Sequence, residues 1–212
     1  MRLLTVAGKL LLSAGAGVLL FVAWTLWGTG IYMERHQERL ARRFDALPAL
    51  ARVPGPAASG PRARFDPAPG EPVFRLRIPA IGADHVVVAG VDDAQLRTGP
   101  GHYPACDEGF DECIELGEAW PGGAGRVVVA GHRTTYGAPF WDLDRVEPGD
   151  ALEVGTRWGD FVYRVTEVQV ARPDGLQLWV GDDVSELVLT TCHPRFSADR
   201  RLIVFAELED RR

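Results

Sequence analysis

Residues 73–82 read VFRLRIPAIG. From Val73 to Ile78 apolar and basic side chains alternate, the period of a strand with one face in a core and the other in water. The Pro-Ala-Ile-Gly that follows ends it. The same texture runs on in HVVVAGV (85–91), GRVVVAGH (125–132), ALEVGT (151–156), DFVYRVTEVQVA (160–171), SELVLTTC (185–192) and RLIVFAEL (201–208). Turn-forming stretches separate them, among them RTGPGHYP (97–104), EPGD (147–150) and RPDG (172–175). DDAQLRTG (92–99) has room for one helical turn. Seven or eight strands without a long amphipathic helix predict a single all-β barrel or sandwich over residues 73–212.

Upstream the chain changes character. Leu10 to Tyr32 carries no charge, and its 23 residues are enough for a helix across a ~30 Å hydrocarbon core. Trp24, Trp27 and Tyr32 lie toward its far end, where amphipathic rings favour the headgroup zone. A cleaved signal peptide would have a shorter apolar core and a small-residue cleavage site. The expected organisation is a short cytoplasmic tail (1–9), a transmembrane anchor (10–32), a juxtamembrane helix and Pro/Gly/Ala-rich linker (33–72), and the β domain (73–212). That linker reads as a spacer holding the domain off the bilayer. Arg2 and Lys9 precede the span, but Arg35, Arg39, Arg42 and Arg43 follow it, so charge leaves the orientation open. A net charge of -6 argues against nucleic acid as a partner. Lys9 is the one lysine, which removes lysine-based Schiff-base or general-base chemistry from the rest of the chain.

The chain has three cysteines. Cys106 and Cys113 flank an acidic loop and are close enough in sequence for a disulfide; free thiols, or a metal site with His102, are the alternatives. An oxidising compartment would favour the bridge and, with it, an exported domain. Cys192 is left over, as a reactive thiol in an exported protein would be. It ends an apolar strand, and His193, Arg195, Arg200 and Arg201 follow within nine residues, a cationic setting suited to a thiolate. A buried structural thiol is the competing reading.

SELVLTTCHP with RLIVFAEL beginning nine residues after the cysteine resembles the sortase signature, a TLxTC strand with an arginine opening the next strand. VVVAGHRTTYGAPFWDLDRVEPGD (127–150) resembles the sortase histidine loop, and FRLRIPAIGADHVVVAGV and LRTGPGHYP resemble the first strands. The likeness covers residues 73–208 and looks most like class E sortases of actinobacteria, with class D next. It implies an eight-stranded β-barrel with short helices, and a cysteine transpeptidase that cleaves an LPxTG- or LAxTG-like sorting motif between Thr and Gly. The implied partners are exported proteins bearing that motif, the membrane, and a lipid II type peptidoglycan-precursor amine. The implied roles are Cys192 as nucleophile, His132 as proton donor and acceptor, Arg201 as oxyanion stabiliser, and Thr191 as an aid to the acyl oxygen. No cofactor or metal is expected. Arg200 and Arg195 compete with Arg201, because strand alternation alone does not say which face meets Cys192. His193 competes with His132 but neighbours the nucleophile on a strand. Tyr136 and Phe140 are candidate groove residues, whereas core packing is the better reading of Trp141. CDEGFDEC (106–113) looks like an insertion relative to the family. An L,D-transpeptidase or papain-like enzyme would need other motifs or the reverse Cys–His order, and a non-catalytic anchored barrel would leave Cys192 inert.

Overall fold

The computed structural model describes residues 2–50, 67–104, 119–173 and 184–211. Cys106 and Cys113, with their expected bridge, lie outside the described residues, as does most of the linker.

Eight strands close into a barrel: β1 (Pro72–Ile78), β2 (Ala83–Ala89), β3 (Gly101–His102), β4 (Gly125–Ala130), β5 (Ala151–Gly155), β6 (Asp160–Ala171), β7 (Ser185–His193) and β8 (Arg200–Arg211). Their order around the barrel is β1-β2-β3-β4-β7-β8-β6-β5. All seven strand segments read from the sequence are present. The eighth, β3, falls inside RTGPGHYP; two residues are too short to show any period, and only pairing to β2 and β4 reveals it. The expected helical turn is α3 (Asp93–Leu96).

Alternation decides what fills the barrel. Phe74, Leu76, Val127, Val129, Leu187, Leu189, Leu202 and Val204 point inward, all 3 % exposed or less. The opposite side of three strands is also apolar: Val128, Val188 and Ile203 form a second cluster with Tyr103, Ala171 and Phe205 against it. β4 and β7 therefore read as nearly continuous apolar runs, as strands buried on both faces do. They pair parallel, with Ala130 beside Thr190.

Ahead of the barrel, α1 (Arg2–Ala23) passes through a π-helical turn (Trp24–Gly28) into α2 (Thr29–Asp45). The helix is long and apolar enough to cross a membrane over Thr5–Ala23, and none of that stretch is buried against the protein. α2 lies along the barrel. Gln37 donates to the Val86 and Thr98 carbonyls at 3.0 and 2.9 Å and accepts from the Val86 amide at 2.8 Å. Leu40 packs on Val86 and Val88 of β2. Beyond the helix, the Leu50 amide reaches the Arg157 carbonyl at 2.7 Å. Residues 33–50 thus follow the barrel wall, while most of the stretch read as a spacer, Pro54–Pro72, lies outside the described residues.

Candidate active site

Strand register sets the site. In the antiparallel β7–β8 pair Cys192 stands across from Arg201, and His193 across from Arg200. Cross-strand partners project to one side at a Cα separation of ~4.5–5.5 Å. Arg201 therefore shares the face of Cys192, and Arg200 with His193 takes the other. The parallel β4–β7 pair adds the histidine. Ala130 is level with Thr190, and the same register carried two residues on brings His132 level with Cys192. The ends of these strands are tied by the Gly131 amide to the Thr190 carbonyl at 3.1 Å and by the Thr191 hydroxyl to the Gly131 carbonyl at 2.7 Å.

Cys192 is a half-buried free thiol. It ends the outer strand face whose Val128, Val188 and Ile203 are buried in a cluster with Tyr103, Ala171 and Phe205. The Arg201 guanidinium donates through Nη1 to the Ala198 and Arg200 carbonyls at 3.0 and 3.3 Å. No hydrogen bond engages its other nitrogens among the described residues.

His132 stacks on Tyr136, with ring centroids 5.1 Å apart. Its Nε2 is buried and without a hydrogen-bond partner among the described residues. Burial pushes the imidazole below the ordinary histidine value, with Asp93 opposing and Arg97 adding to the shift. The resting ring is therefore neutral at pH 7. Its NMR titration is expected to have a midpoint below ~6.5, moved further down by Asp93→Asn and up by Arg97→Gln; shifts of the reverse sign would rule out this electrostatic account. Because the unfolded chain binds the proton more tightly, this histidine adds stability above its unfolded pKa, lost as pH falls through the folded one.

Several expectations change here. Thr191 faces the barrel interior beside Leu202, only 3 % exposed, and its hydroxyl is engaged by Gly131. It joins two strand ends. Arg195 turns away from the thiol to bond the Trp141 carbonyl at 3.0–3.1 Å and lies over the Trp141 ring, 4.7 Å from its centroid. Trp141 is 38 % exposed and Phe140 is the core residue at 0 %. The sequence assigns no role to Arg133 or Asp144. These are single polar residues outside any periodic pattern, so no signal marked them.

Thr190 shares the face of Cys192, and its hydroxyl is buried without a partner among the described residues. An unpaired buried hydroxyl costs about 1–3 kcal/mol. Thr190→Val should therefore raise the melting temperature or leave it unchanged; a clear fall would mean the hydroxyl is satisfied.

A closed eight-stranded barrel with a cysteine, a histidine and an arginine gathered at the ends of β4, β7 and β8 is the framework of a barrel-type cysteine acyl transferase. A sortase-domain family model matches residues 76–209. The chain belongs to the sortase family of cysteine transpeptidases. It is 29% identical to Sortase SrtE1 of Streptomyces coelicolor over 97% of its own length, and spans 57% of that protein. Sortase D of Bacillus subtilis is 30% identical over 69% of this chain and 68% of its own. Among solved structures, Streptomyces coelicolor Sortase E1 with a tripeptide in the active site is 28% identical, with a TM-score of 0.58 over 69% of this chain and 93% of that one. Clostridium perfringens sortase C, solved with the C-terminal cell wall sorting motif, is 25% identical, with a TM-score of 0.58 over 68% of this chain and 73% of that one.

Proposed function

We propose that this chain is a class E type sortase, anchored by α1 with its barrel outside the cell. In this reading it joins exported proteins bearing an LAxTG- or LPxTG-like motif to an amine of a lipid-linked peptidoglycan precursor. The neutral His132 imidazole takes the Cys192 thiol proton, and the thiolate so formed attacks the Thr carbonyl. The Cys192 Sγ–carbonyl bond forms, the Thr–Gly C–N bond breaks, and the His132 imidazolium gives its proton to the leaving Gly amine. The incoming amine then displaces Sγ after losing a proton to His132. Arg201 holds the oxyanion in both steps with a permanent charge and a rigid donor fork.

The observation that carries this reading is the shared face of Cys192 and Arg201, with His132 two residues beyond Ala130, the β4 partner of Thr190. Membrane anchoring is supported by the bare apolar helix: 19 residues at ~1.5 Å each give roughly 28 Å, the thickness of a hydrocarbon core. The histidine loop touches α2 at Thr29, whose hydroxyl accepts from the Tyr136 amide at 3.0 Å. Thr29 is six residues past Ala23, about 9 Å along a helix, so the site would stand in the headgroup zone, where a lipid-linked amine is presented.

The test incubates the full chain in detergent with LAxTG and LPxTG peptides and an amine acceptor, and follows products by mass. A Thr–acceptor conjugate that disappears in Cys192→Ala is expected. Hydrolysis without conjugate would make it a protease, and no thioester with either peptide would refute the reading.

A further inference from the structure

Arg133 directly follows His132, and its side chain is only 2 % exposed. Its Nε donates to the Trp141 carbonyl at 3.0 Å and its Nη2 pairs with Asp144 Oδ2 at 2.8 Å. Nη1 donates to the carbonyl of Cys192 at 3.3 Å and lies 3.4 Å from His193 Nδ1. One planar fork thus joins the histidine loop to the backbone of the nucleophile itself.

Arg195, three residues past Cys192, meets the same acceptors from the other side. Its Nη2 bonds the Trp141 carbonyl at 3.0 Å, Asp144 Oδ1 at 3.0 Å and Asp142 Oδ1 at 3.2 Å. The two oxygens of Asp144 are therefore divided between two arginines, one from each loop, and the Trp141 carbonyl is shared in the same way.

We propose that Arg133, Asp144 and Arg195 form a clasp that fixes His132 against Cys192, acting as positioning residues for both acyl transfers. A buried guanidinium is a costly way to fill space, since apolar side chains of similar volume stabilise as well or better. What it provides here is direction: four acceptors at fixed angles, one of them the carbonyl of the nucleophile. Lysine, a point charge on a flexible stem, cannot serve them together. The proposal rests on the sortase reading of the site for its effect on rate, but the clasp itself does not depend on catalysis.

Asp144→Asn, Arg195→Gln and Arg133→Lys in the full chain would be compared for kcat and KM of peptide thioester formation and for amide hydrogen exchange. The exchange probes are Phe140 and Ser197, whose amides bond the His132 and Pro194 carbonyls at 3.2 and 3.0 Å. Asp144→Asn and Arg133→Lys are expected to lower kcat about 10- to 100-fold while KM changes less than about twofold. Both amides should exchange at least about tenfold faster in the same variants. Unchanged kcat, or a raised KM at constant kcat, would overturn the proposal. If Arg133→Lys fails to fold, Asp144→Asn decides, because that carboxylate is 35% exposed at the edge of the cluster. If the wild type forms no thioester, the sortase reading of the site fails; the clasp then stands or falls on exchange, and unchanged protection in Asp144→Asn overturns it.

Discussion

Replacing Arg201 with alanine is expected to lower kcat for thioester formation by ~10²–10³, the usual loss for one oxyanion donor. Arg200→Ala should stay within about threefold of the wild type, in the range of residues that do not touch the reacting atoms. The contrast follows from register: Arg201 is the cross-strand partner of Cys192, and Arg200 is that of His193 on the reverse face. The two arginines are chain neighbours with the same chemistry, so sequence proximity and net charge predict equal effects. Comparable losses in both variants, or a larger loss in Arg200→Ala, would show that another group holds the oxyanion. KM for the peptide should change little in Arg201→Ala, because the charge it meets develops only along the reaction path.

A chain beginning at residue 67, without α1 and α2, is expected to melt well below the full chain and to turn over more slowly. Met33 and Leu40 are 4% and 7% exposed on the barrel, and burying such side chains stabilises by about 1.5–3 kcal/mol each. Gln37 adds hydrogen bonds to β2 and to the turn after α3. A net loss of about 3 kcal/mol corresponds to a fall of roughly 6–12 °C for a domain of this size. The effect on rate has a separate cause. Tyr136, Gly137 and Ala138 hold φ values of 48°, 70° and 46°, a conformation that costs non-glycine residues about 1–2 kcal/mol each. The Thr29 hydroxyl on the Tyr136 amide and Met33 against Gly137 brace that strained turn beside His132. A Cβ at Gly137 would come 2.9 Å from the flexible Met33 Sδ, and the φ of 70° favours glycine there. Equal melting temperature and kcat for the two chains would show that α2 rests on the barrel without bracing it. For the same reason, a preparation cut at Val73 would understate the activity of the intact protein.

Much of the fold was legible because it is written in periods. Burial alternates over Phe74–Ile78 of β1, and β4 and β7 are nearly continuous apolar runs, so these strands could be recognised from their own residues. β3 could not, since two residues carry no period and their role comes wholly from neighbours. Residues 34–45 were recognisable as helical, but not as a barrel wall. What identifies them is the match of Gln37 to the backbone of Val86 and Thr98, distant in sequence. Phe140 is the core residue and Trp141 the exposed one, the reverse of the expectation, because adjacent aromatics in a loop lack the alternation that tells the buried one from the exposed one.

The all-β class, and Cys192 and His132 as the residues proposed for the chemistry, were legible in the sequence alone, since residue type, strand period and motif order are properties of the chain. Which arginine faces the thiol, that Thr191 faces inward, and that Arg133 and Arg195 divide one carboxylate were decided only by tertiary structure. Each depends on the register between strands or on the meeting of two loops. A one-residue slip in register would turn every side chain to the other face without changing a letter of the sequence.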